Sequence, residues 1–449
     1  YLIVFKYTYK ITISPKWDYF GLGFSPPPLA YEILSFLFGI IPLFWAPVSF
    51  FRPSVILYYV QYSLVYVPTL LVCYHVNKPN LNDFNCLILC TFIFLGMLIL
   101  TLCYHFPVRK IRPAIQIKQT YDLTYFALFL SLTMLLFVGL KSGSSLGSAF
   151  ETSQDSSMVG QKFFENANAS RGKFSSSASA LGGKFFVYSM FWLSGFFLPL
   201  IFAYGIFMKR KLNFLLFFLG YIFLFVFAGY KSCMVALVSL PAVWFFLSRK
   251  SNGPAQFILG CGIFLLISNI FNIEETRYTL LGAWASMLSN WVNLRIFCIA
   301  PLTIVQFLDF FDSNPLTFMS HVKGFNLLIE YPYTQDIGKY VGRFHYGGGI
   351  NVNSGLWATD GIAAFGIFGI IISSIICSFV FWVLDSASVG LNPKFVSLSL
   401  GFIAMTFPNT SLFTNIITGG LFLVLLNVYL LPDKIKIKTW PKKFFKYET

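Results

Sequence analysis

Among the ionisable side chains outside the apolar segments and the short basic runs, the largest group lies in one long stretch, residues 274–360. They include Glu274, Glu275, Arg277, Arg295, His321, Lys323, Arg343, His345 and Asp360. A second polar stretch, residues 141–184, is rich in Ser, Gly and Ala. Long connections between apolar segments are usually either functional or disordered, so we expect any chemistry in these two stretches.

Arg277 and Arg295 have the spacing of two residues on one face of a helix. Their separation corresponds to about five turns at ~3.6 residues per turn. Two guanidinium groups on one face can bind the two phosphates of a diphosphate, because the planar fork matches phosphate oxygens and keeps its charge. The alternative is that each arginine reaches lipid headgroups or pairs with Glu274 or Glu275.

Three further cations are candidates for binding an anion. Arg171 is followed after ten residues by Gly182, and Arg343 after eleven residues by Gly355. An arginine held in a Gly-rich loop can approach an anionic ligand closely, although a solvated loop arginine explains each position equally. Lys231 lies between two apolar segments and is either part of a phosphate site or an anchor at the membrane surface.

His345 is the best candidate for a proton-transferring side chain. It follows Arg343 by two residues and precedes three glycines, and a histidine can take a proton from a sugar hydroxyl. His321 is interpreted as structural. Asp360, at the start of an apolar segment, is either a base or orienting partner, or a helix cap.

Composition places the chain in a membrane. Of its 449 residues, 57% are hydrophobic and 11% are charged, whereas soluble domains have about 25% charged residues. The net charge of +15 comes from short basic runs between apolar segments, as in cytoplasmic loops of membrane proteins. This pattern excludes a nucleic-acid-binding protein. Because the chain begins at Tyr1, we expect a truncated N-terminus.

The apolar segments predict an all-α polytopic membrane protein with eleven or twelve transmembrane helices. Eleven candidates can be delimited in the sequence, and the last two form a tight hairpin. They are 30–51, 54–75, 86–106, 121–140, 185–208, 213–230, 232–248, 256–273, 361–385, 395–411 and 413–431. We treat residues 1–449 as one integral membrane domain.

The basic runs predict the orientation. They lie at 109–118, 209–211, 249–250 and in the tail 432–449. With a cytoplasmic C-terminus, alternate crossings place every run in the cytoplasm and place residues 141–184 and 274–360 outside. The apolar patch 296–311 then does not cross the membrane, and Asp309 and Asp312 at its end fit an interfacial or re-entrant helix lying on the bundle.

Several types of site are missing from the sequence. There is no GxxxxGK[ST] loop, no HExxH motif and no GxSxG elbow, and no Asp-x-Asp occurs in the predicted outer loops. The eight cysteines show no zinc-site spacing, and we interpret them as buried apolar residues that form no structural disulfide. We therefore expect no metal and no cofactor, and the energy for a reaction must come from the substrate.

Residues 309–369 resemble the O-antigen polymerases of Wzy type, a family of polysaccharide polymerases. The resemblance is carried by Asp309-Phe-Phe-Asp-Ser-Asn-Pro315, Glu330-Tyr-Pro-Tyr333, Asn351-Val-Asn-Ser354, Trp357-Ala-Thr-Asp-Gly361 and Phe365-Gly-Ile-Phe-Gly369. The spacing of Arg171 and Gly182 is also similar to a loop motif of this family. The predicted topology, with two large outer loops and a basic tail, agrees along the whole chain.

The resemblance implies a GT-C-like fold and an enzyme of the bacterial inner membrane. Such an enzyme transfers a growing glycan from undecaprenyl diphosphate to the next lipid-linked oligosaccharide repeat on the periplasmic face, without a metal or cofactor. Its partners are this substrate, membrane lipid and a candidate chain-length regulator protein. Related ligases carry a histidine near the end of the second loop, where this chain has Asn351 and Asn353. This departure favours a polymerase.

The sequence thus predicts two groups of site residues. The predicted catalytic residues are His345, Arg277 and Asp360, and the predicted substrate-binding residues are Arg171, Arg295, Arg343, Lys231, Asn351 and Asn353. Two alternatives remain, a ligase-type transferase and a flippase or transporter of the lipid-linked oligosaccharide. A transporter predicts ionisable groups within the membrane spans and short outer loops.

Overall fold

The structure is a computed structural model, and it describes most of the chain. The described residues are 1–76, 81–111, 125, 127–133, 173–174, 176–177, 180, 185–249, 252–271, 285–286, 289–290, 292–347 and 350–431. They form helices joined by turns and extended segments, and no β-strand occurs among them. The prediction of an all-α protein is confirmed for this part. Most of the loop 141–184 and the whole tail 432–449 lie outside it.

Seven helices in the described ranges are long and apolar enough to cross a membrane. They are Val55–Val72, Asp83–Cys103, Phe185–Met208, Lys211–Ala228, Gly253–Ile270, Asn293–Phe311 and Ala358–Ala387. Shorter apolar helices cover Leu29–Phe44, Ser232–Ser248 and Leu421–Leu430. The protein therefore has the helices of a multi-pass membrane protein. The number of crossings and the side on which the C-terminus lies remain predictions.

The predicted hairpin of residues 395–431 is divided into four short helices. These are Pro393–Ser399, Gly401–Thr406, Leu412–Ile417 and Leu421–Leu430. Pro408 follows the second helix within a 3₁₀ turn and cannot donate a backbone hydrogen bond. Gly420 separates the last two helices with φ 94°, a conformation that favours glycine. The breaks place turns in the middle of an apolar stretch.

The N-terminal residues form helical turns that the sequence did not predict as a span. Leu2–Thr8, Tyr9–Ile13 and Ser14–Trp17 follow one another, and the first packs against Gly253–Ile270. Lys6, within the first, pairs with Glu32 on Leu29–Phe44.

The span Ala358–Ala387 is bent near its start. Ala358–Phe365 ends at Gly366, which has φ 64° and ψ −152°, and Gly369–Ala387 continues beyond it. The second part alone is long enough to cross a bilayer at about 1.5 Å per residue. The backbones of Gly361 and Gly369 approach so closely that neither position can hold a Cβ atom. The bend places Asp360 on the short helix that precedes Gly369–Ala387.

Asn293–Phe311 lies inside the bundle. It packs against Val55–Val72 and against the short helix Ala358–Phe365, and Asp309 near its end is fully buried. The prediction of an interfacial helix lying on the bundle is therefore wrong, because this helix is apolar around most of its circumference and is enclosed by other helices. Whether it crosses the membrane or re-enters it stays a prediction.

Candidate functional site

A cavity of about 520 Å³ lies where five separate parts of the chain meet. Its polar lining side chains are Tyr188, Ser194, Tyr230, Ser232, Ser239, Arg295, Asn353, Thr406, Asn409, Thr410, Thr414, Asn415 and Thr418. Among the described lining side chains, Arg295 is the only one that is charged. A single guanidinium surrounded by neutral hydroxyls and amides suits a ligand that is anionic at one end and polyhydroxylated at the other.

Arg295 is presented to the cavity by an irregular turn. It belongs to the π-helical segment Asn293–Cys298, and such segments are frequent at functional sites. The side chain is exposed although its neighbours Leu294 and Phe297 are buried in the bundle. The Nδ2 of Asn409 donates a hydrogen bond of 3.1 Å to the backbone carbonyl of Arg295, which ties this turn to the opposite wall.

Asn353 reaches the cavity from an extended segment that is fixed at both ends. The amide of Val352 donates to the carbonyl of Gly338 (3.0 Å), and the amide of Leu356 donates to the carbonyl of Pro408 (3.1 Å). A Cβ atom at Gly338 would collide with the Val352 carbonyl, so the glycine permits the close approach of this segment. Asn351 is also exposed but does not line the cavity.

The polar turn between the last short helices forms one wall and was missed by the sequence reasoning. Asn415 Nδ2 donates to the carbonyls of Thr410 and Ser411, both at 3.1 Å, and this closes the turn. Gly419 lines the cavity, and its carbonyl lies against Gly195 so closely that no Cβ fits there. The available signal was the cluster of Asn, Thr and Ser at 409–418, which is unusual within an apolar hairpin.

Two atoms of the cavity wall have open hydrogen-bonding capacity. Ser239 Oγ and Asn409 Oδ1 are buried and have no hydrogen-bond partner among the described residues. Buried polar atoms are nearly always paired, so these two atoms have hydrogen-bonding capacity that no described residue uses.

Asp360 lies behind this wall and accepts hydrogen bonds from it. Its Oδ2 accepts hydrogen bonds from Ser411 Oγ (2.9 Å) and from the amide of Leu412 (2.7 Å), which begins the helix Leu412–Ile417. Its Oδ1 lies 3.8 Å from His321 Nε2, and both side chains are largely buried. The carboxylate is therefore enclosed by protein, and it is placed to hold the turn.

His345 lies in a separate buried contact. Its Nε2 is 3.1 Å from the carbonyl of Gln306 and 3.9 Å from Asp309 Oδ2. Its side chain is only 7% exposed and does not line the cavity. The structure thus places the predicted base in the packing between Ile337–Tyr346 and Asn293–Phe311.

The other predicted site residues are distributed as follows. Arg343 is exposed on Ile337–Tyr346, with its guanidinium 5.9 Å from the Tyr340 ring centre, and does not line the cavity. Lys231 begins the helix Lys231–Ser248, between two residues that line the cavity, but its side chain is outside the described part. Arg171 and Arg277 also lie outside the described residues. Of the predicted site residues, the described lining of the cavity therefore contains Arg295 and Asn353.

Among the described residues, no group of three His, Cys, Asp or Glu side chains is placed to hold a metal ion. The described lining of the cavity contains no carboxylate and no histidine. The chemistry available there is charge stabilisation by Arg295 and hydrogen bonding by hydroxyls and amides.

Comparisons of the chain with protein-family models, with curated proteins and with solved structures found no match.

Proposed function

We propose that the protein is a membrane glycosyltransferase that polymerises undecaprenyl-diphosphate-linked oligosaccharide repeat units at the periplasmic face of a bacterial inner membrane. One observation carries the proposal: the only described charge in the cavity lining is the Arg295 guanidinium, and hydroxyls and amides surround it. This combination matches a glycan attached to a diphosphate. The cavity lies in a bundle of apolar helices, where a lipid-anchored substrate can arrive through the bilayer.

The diphosphate would bind at Arg295. As the bond between the anomeric carbon and the diphosphate oxygen breaks, negative charge develops on the leaving group, and a fixed guanidinium in a protein cavity stabilises it strongly. The anomeric carbon forms its new bond to a hydroxyl oxygen of the next repeat. Overall, the proton of that hydroxyl ends on the departing diphosphate, so the reaction balances without a metal or a nucleotide.

The sugars would bind along the neutral part of the cavity. Asn353, Asn409 and Ser239 offer donors and acceptors that match sugar hydroxyls. Tyr188 and Tyr230 add aromatic rings with polar edges. Holding two lipid-anchored substrates at one face removes much of the entropic cost of their meeting. Arg171, Arg277 and Lys231 are candidates for further contacts with the diphosphate.

The test is a gel of surface polysaccharide from a host that lacks the gene, with and without the protein. A deletion that leaves a single repeat on the lipid core, restored to a ladder by the protein, supports the polymerase. Polymer that stays on the undecaprenyl carrier instead identifies a ligase-type transferase. Lipid-linked repeats that accumulate on the cytoplasmic face identify a transporter.

The variant Arg295→Ala tests the role of the cavity separately from that of other parts of the protein. We expect it to insert normally in the membrane but to restore no ladder. Lys339→Ala is the matched control, because Lys339 is an exposed cation on Ile337–Tyr346 that does not line the cavity. A full ladder from Arg295→Ala would refute the role of the cavity.

A further inference from the structure

The turn that carries His321 is fixed against the short helix Ala358–Phe365. The amide of Thr317 donates to the carbonyl of Ala363 (2.8 Å), and the amide of Phe318 donates to the carbonyl of Ala364 (3.1 Å). Phe318 and Met319 have backbone φ values of 47° and 72°, which residues other than glycine rarely adopt. The two hydrogen bonds keep the turn in this unfavourable backbone conformation, so the turn has a defined orientation on the helix.

The hydrogen bonds of Thr317 favour a proton on one nitrogen of His321. Thr317 Oγ1 has a single proton, which it donates to the carbonyl of Ala363 at 2.8 Å. The same oxygen is 2.7 Å from His321 Nδ1 and can accept a hydrogen bond from it. Both contacts are satisfied as hydrogen bonds when Nδ1 carries a proton. In a neutral imidazole, the other nitrogen, Nε2, would then be a bare acceptor.

Nε2 is directed at a carboxylate. It lies 3.8 Å from Asp360 Oδ1, it is buried, and it has no hydrogen-bond partner among the described residues. A bare nitrogen and an ionised carboxylate would repel each other in this poorly solvated place. A proton on Nε2 converts the repulsion into attraction between opposite charges.

Asp360 connects His321 to the cavity wall. Its second oxygen accepts from both Ser411 Oγ and the amide of Leu412, and hydrogen bonds to an ionised acceptor are the stronger kind. Asn409, Thr410 and Asn415, on either side of that pair, line the cavity. On the other side of the turn, Lys323 Nζ donates to the hydroxyl of Tyr188 (3.2 Å), which is also a lining residue.

We propose that His321 is a positioning residue of the cavity. Its Nε2 carries a proton toward Asp360, and the charged pair holds the turn 409–415 in the cavity wall. The proposal concerns the cavity of the proposed function, but it does not depend on which substrate binds there. Its tests measure the protonation of His321 and the accessibility of the cavity wall. Its failure is therefore distinguishable from a failure of the polymerase assignment.

The first test locates the proton. We would record ¹⁵N spectra of the protein in lipid nanodiscs with labelled histidine at neutral pH, and assign the His321 signals by their loss in His321→Gln; the chain has 4 histidines. We expect two protonated ring nitrogens in the wild type. In Asp360→Asn we expect one bare nitrogen, because the neutral amide no longer stabilises the charged ring. A bare Nε2 in the wild type would overturn the proposal.

The second test measures how accessible the cavity wall is, with Thr414→Cys as the reporter. Thr414 is suitable because it is exposed and lines the cavity. We would measure its labelling by a water-soluble methanethiosulfonate, with the protein lacking the reporter as background. In His321→Leu, which has no donor, we expect labelling at least about tenfold faster. In His321→Gln, which keeps a polar side chain beside Asp360 but removes the positive charge, we expect a rate between those of the wild type and His321→Leu.

Equal rates in the wild type and a folded His321→Leu protein would contradict the positioning role. If that variant does not fold, Asp360→Asn takes its place, because it keeps the shape of the side chain and removes its charge. Faster labelling is expected there too. An unchanged rate in Asp360→Asn would likewise contradict the proposal.

Discussion

His345 Nε2 and Asp309 Oδ2 lie 3.9 Å apart, with side chains that are only 7% and 1% exposed. The pair joins Ile337–Tyr346 to the central helix Asn293–Phe311, and the same nitrogen is 3.1 Å from the carbonyl of Gln306. A histidine enclosed in this way has little access to a substrate. Its position favours a stabilising role over proton transfer, unlike the role expected from its place beside three glycines.

His345→Ala should therefore act first on stability. Removing the buried imidazole leaves a cavity in the packing and removes its contact with the carbonyl of Gln306, so the expected loss in the free energy of unfolding is on the order of 2 kcal/mol. Thermal unfolding of the detergent-solubilised protein measures it. A His345→Ala protein of normal stability that makes no polymer would instead support the catalytic role predicted from the sequence.

Gly361→Ala should prevent the close contact at the bend. A Cβ atom there would overlap the backbone of Gly369, so the helices Ala358–Phe365 and Gly369–Ala387 must separate. Overpacking of this kind typically costs about 1–3 kcal/mol. The yield of folded protein by fluorescence-detected size exclusion is the measurement. Gly262→Ala is the control, because the nearest atom to its Cβ would be 3.8 Å away. Equal yields from the two variants would show that the contact is unimportant.

Tyr333 should make the stability of the protein depend on pH in the alkaline range. Burial raises the pKa of Tyr333 to about 12, and its hydroxyl donates a 2.6 Å hydrogen bond to the carbonyl of Pro315. Because the folded state disfavours the phenolate, this contribution to stability is complete below pH ~10 and is lost as the pH rises toward about 12. The difference in phenolate absorbance between the wild type and Tyr333→Phe should titrate near the upper value. Titration near 10 would mean that the ring is solvated.

The sequence predicted features that depend on local pattern. Apolar length predicted helices such as Phe185–Met208, and the helical spacing from Arg277 identified Arg295 as a candidate. It could not predict contacts between distant segments. The pairing of His321 with Asp360 depends on how a turn docks on a helix, and nothing near either residue encodes it. The wall at 409–418 was missed because its hydroxyls and amides lie inside stretches whose mean hydropathy is that of a membrane span.

Arg295 provides the most direct prediction about activity. Removing one preorganised donor from a site where charge develops typically lowers the rate by about a hundredfold or more, so Arg295→Ala should lose that factor in kcat. Arg295→Lys should retain part of the rate, because a lysine supplies the charge but not the planar fork. Polymerisation of purified lipid-linked repeats by protein in nanodiscs separates kcat from KM. Lys339→Ala should leave both constants unchanged. If Arg295→Ala raises KM alone, the arginine binds the diphosphate equally in the ground and transition states, and the leaving group must be stabilised by another residue.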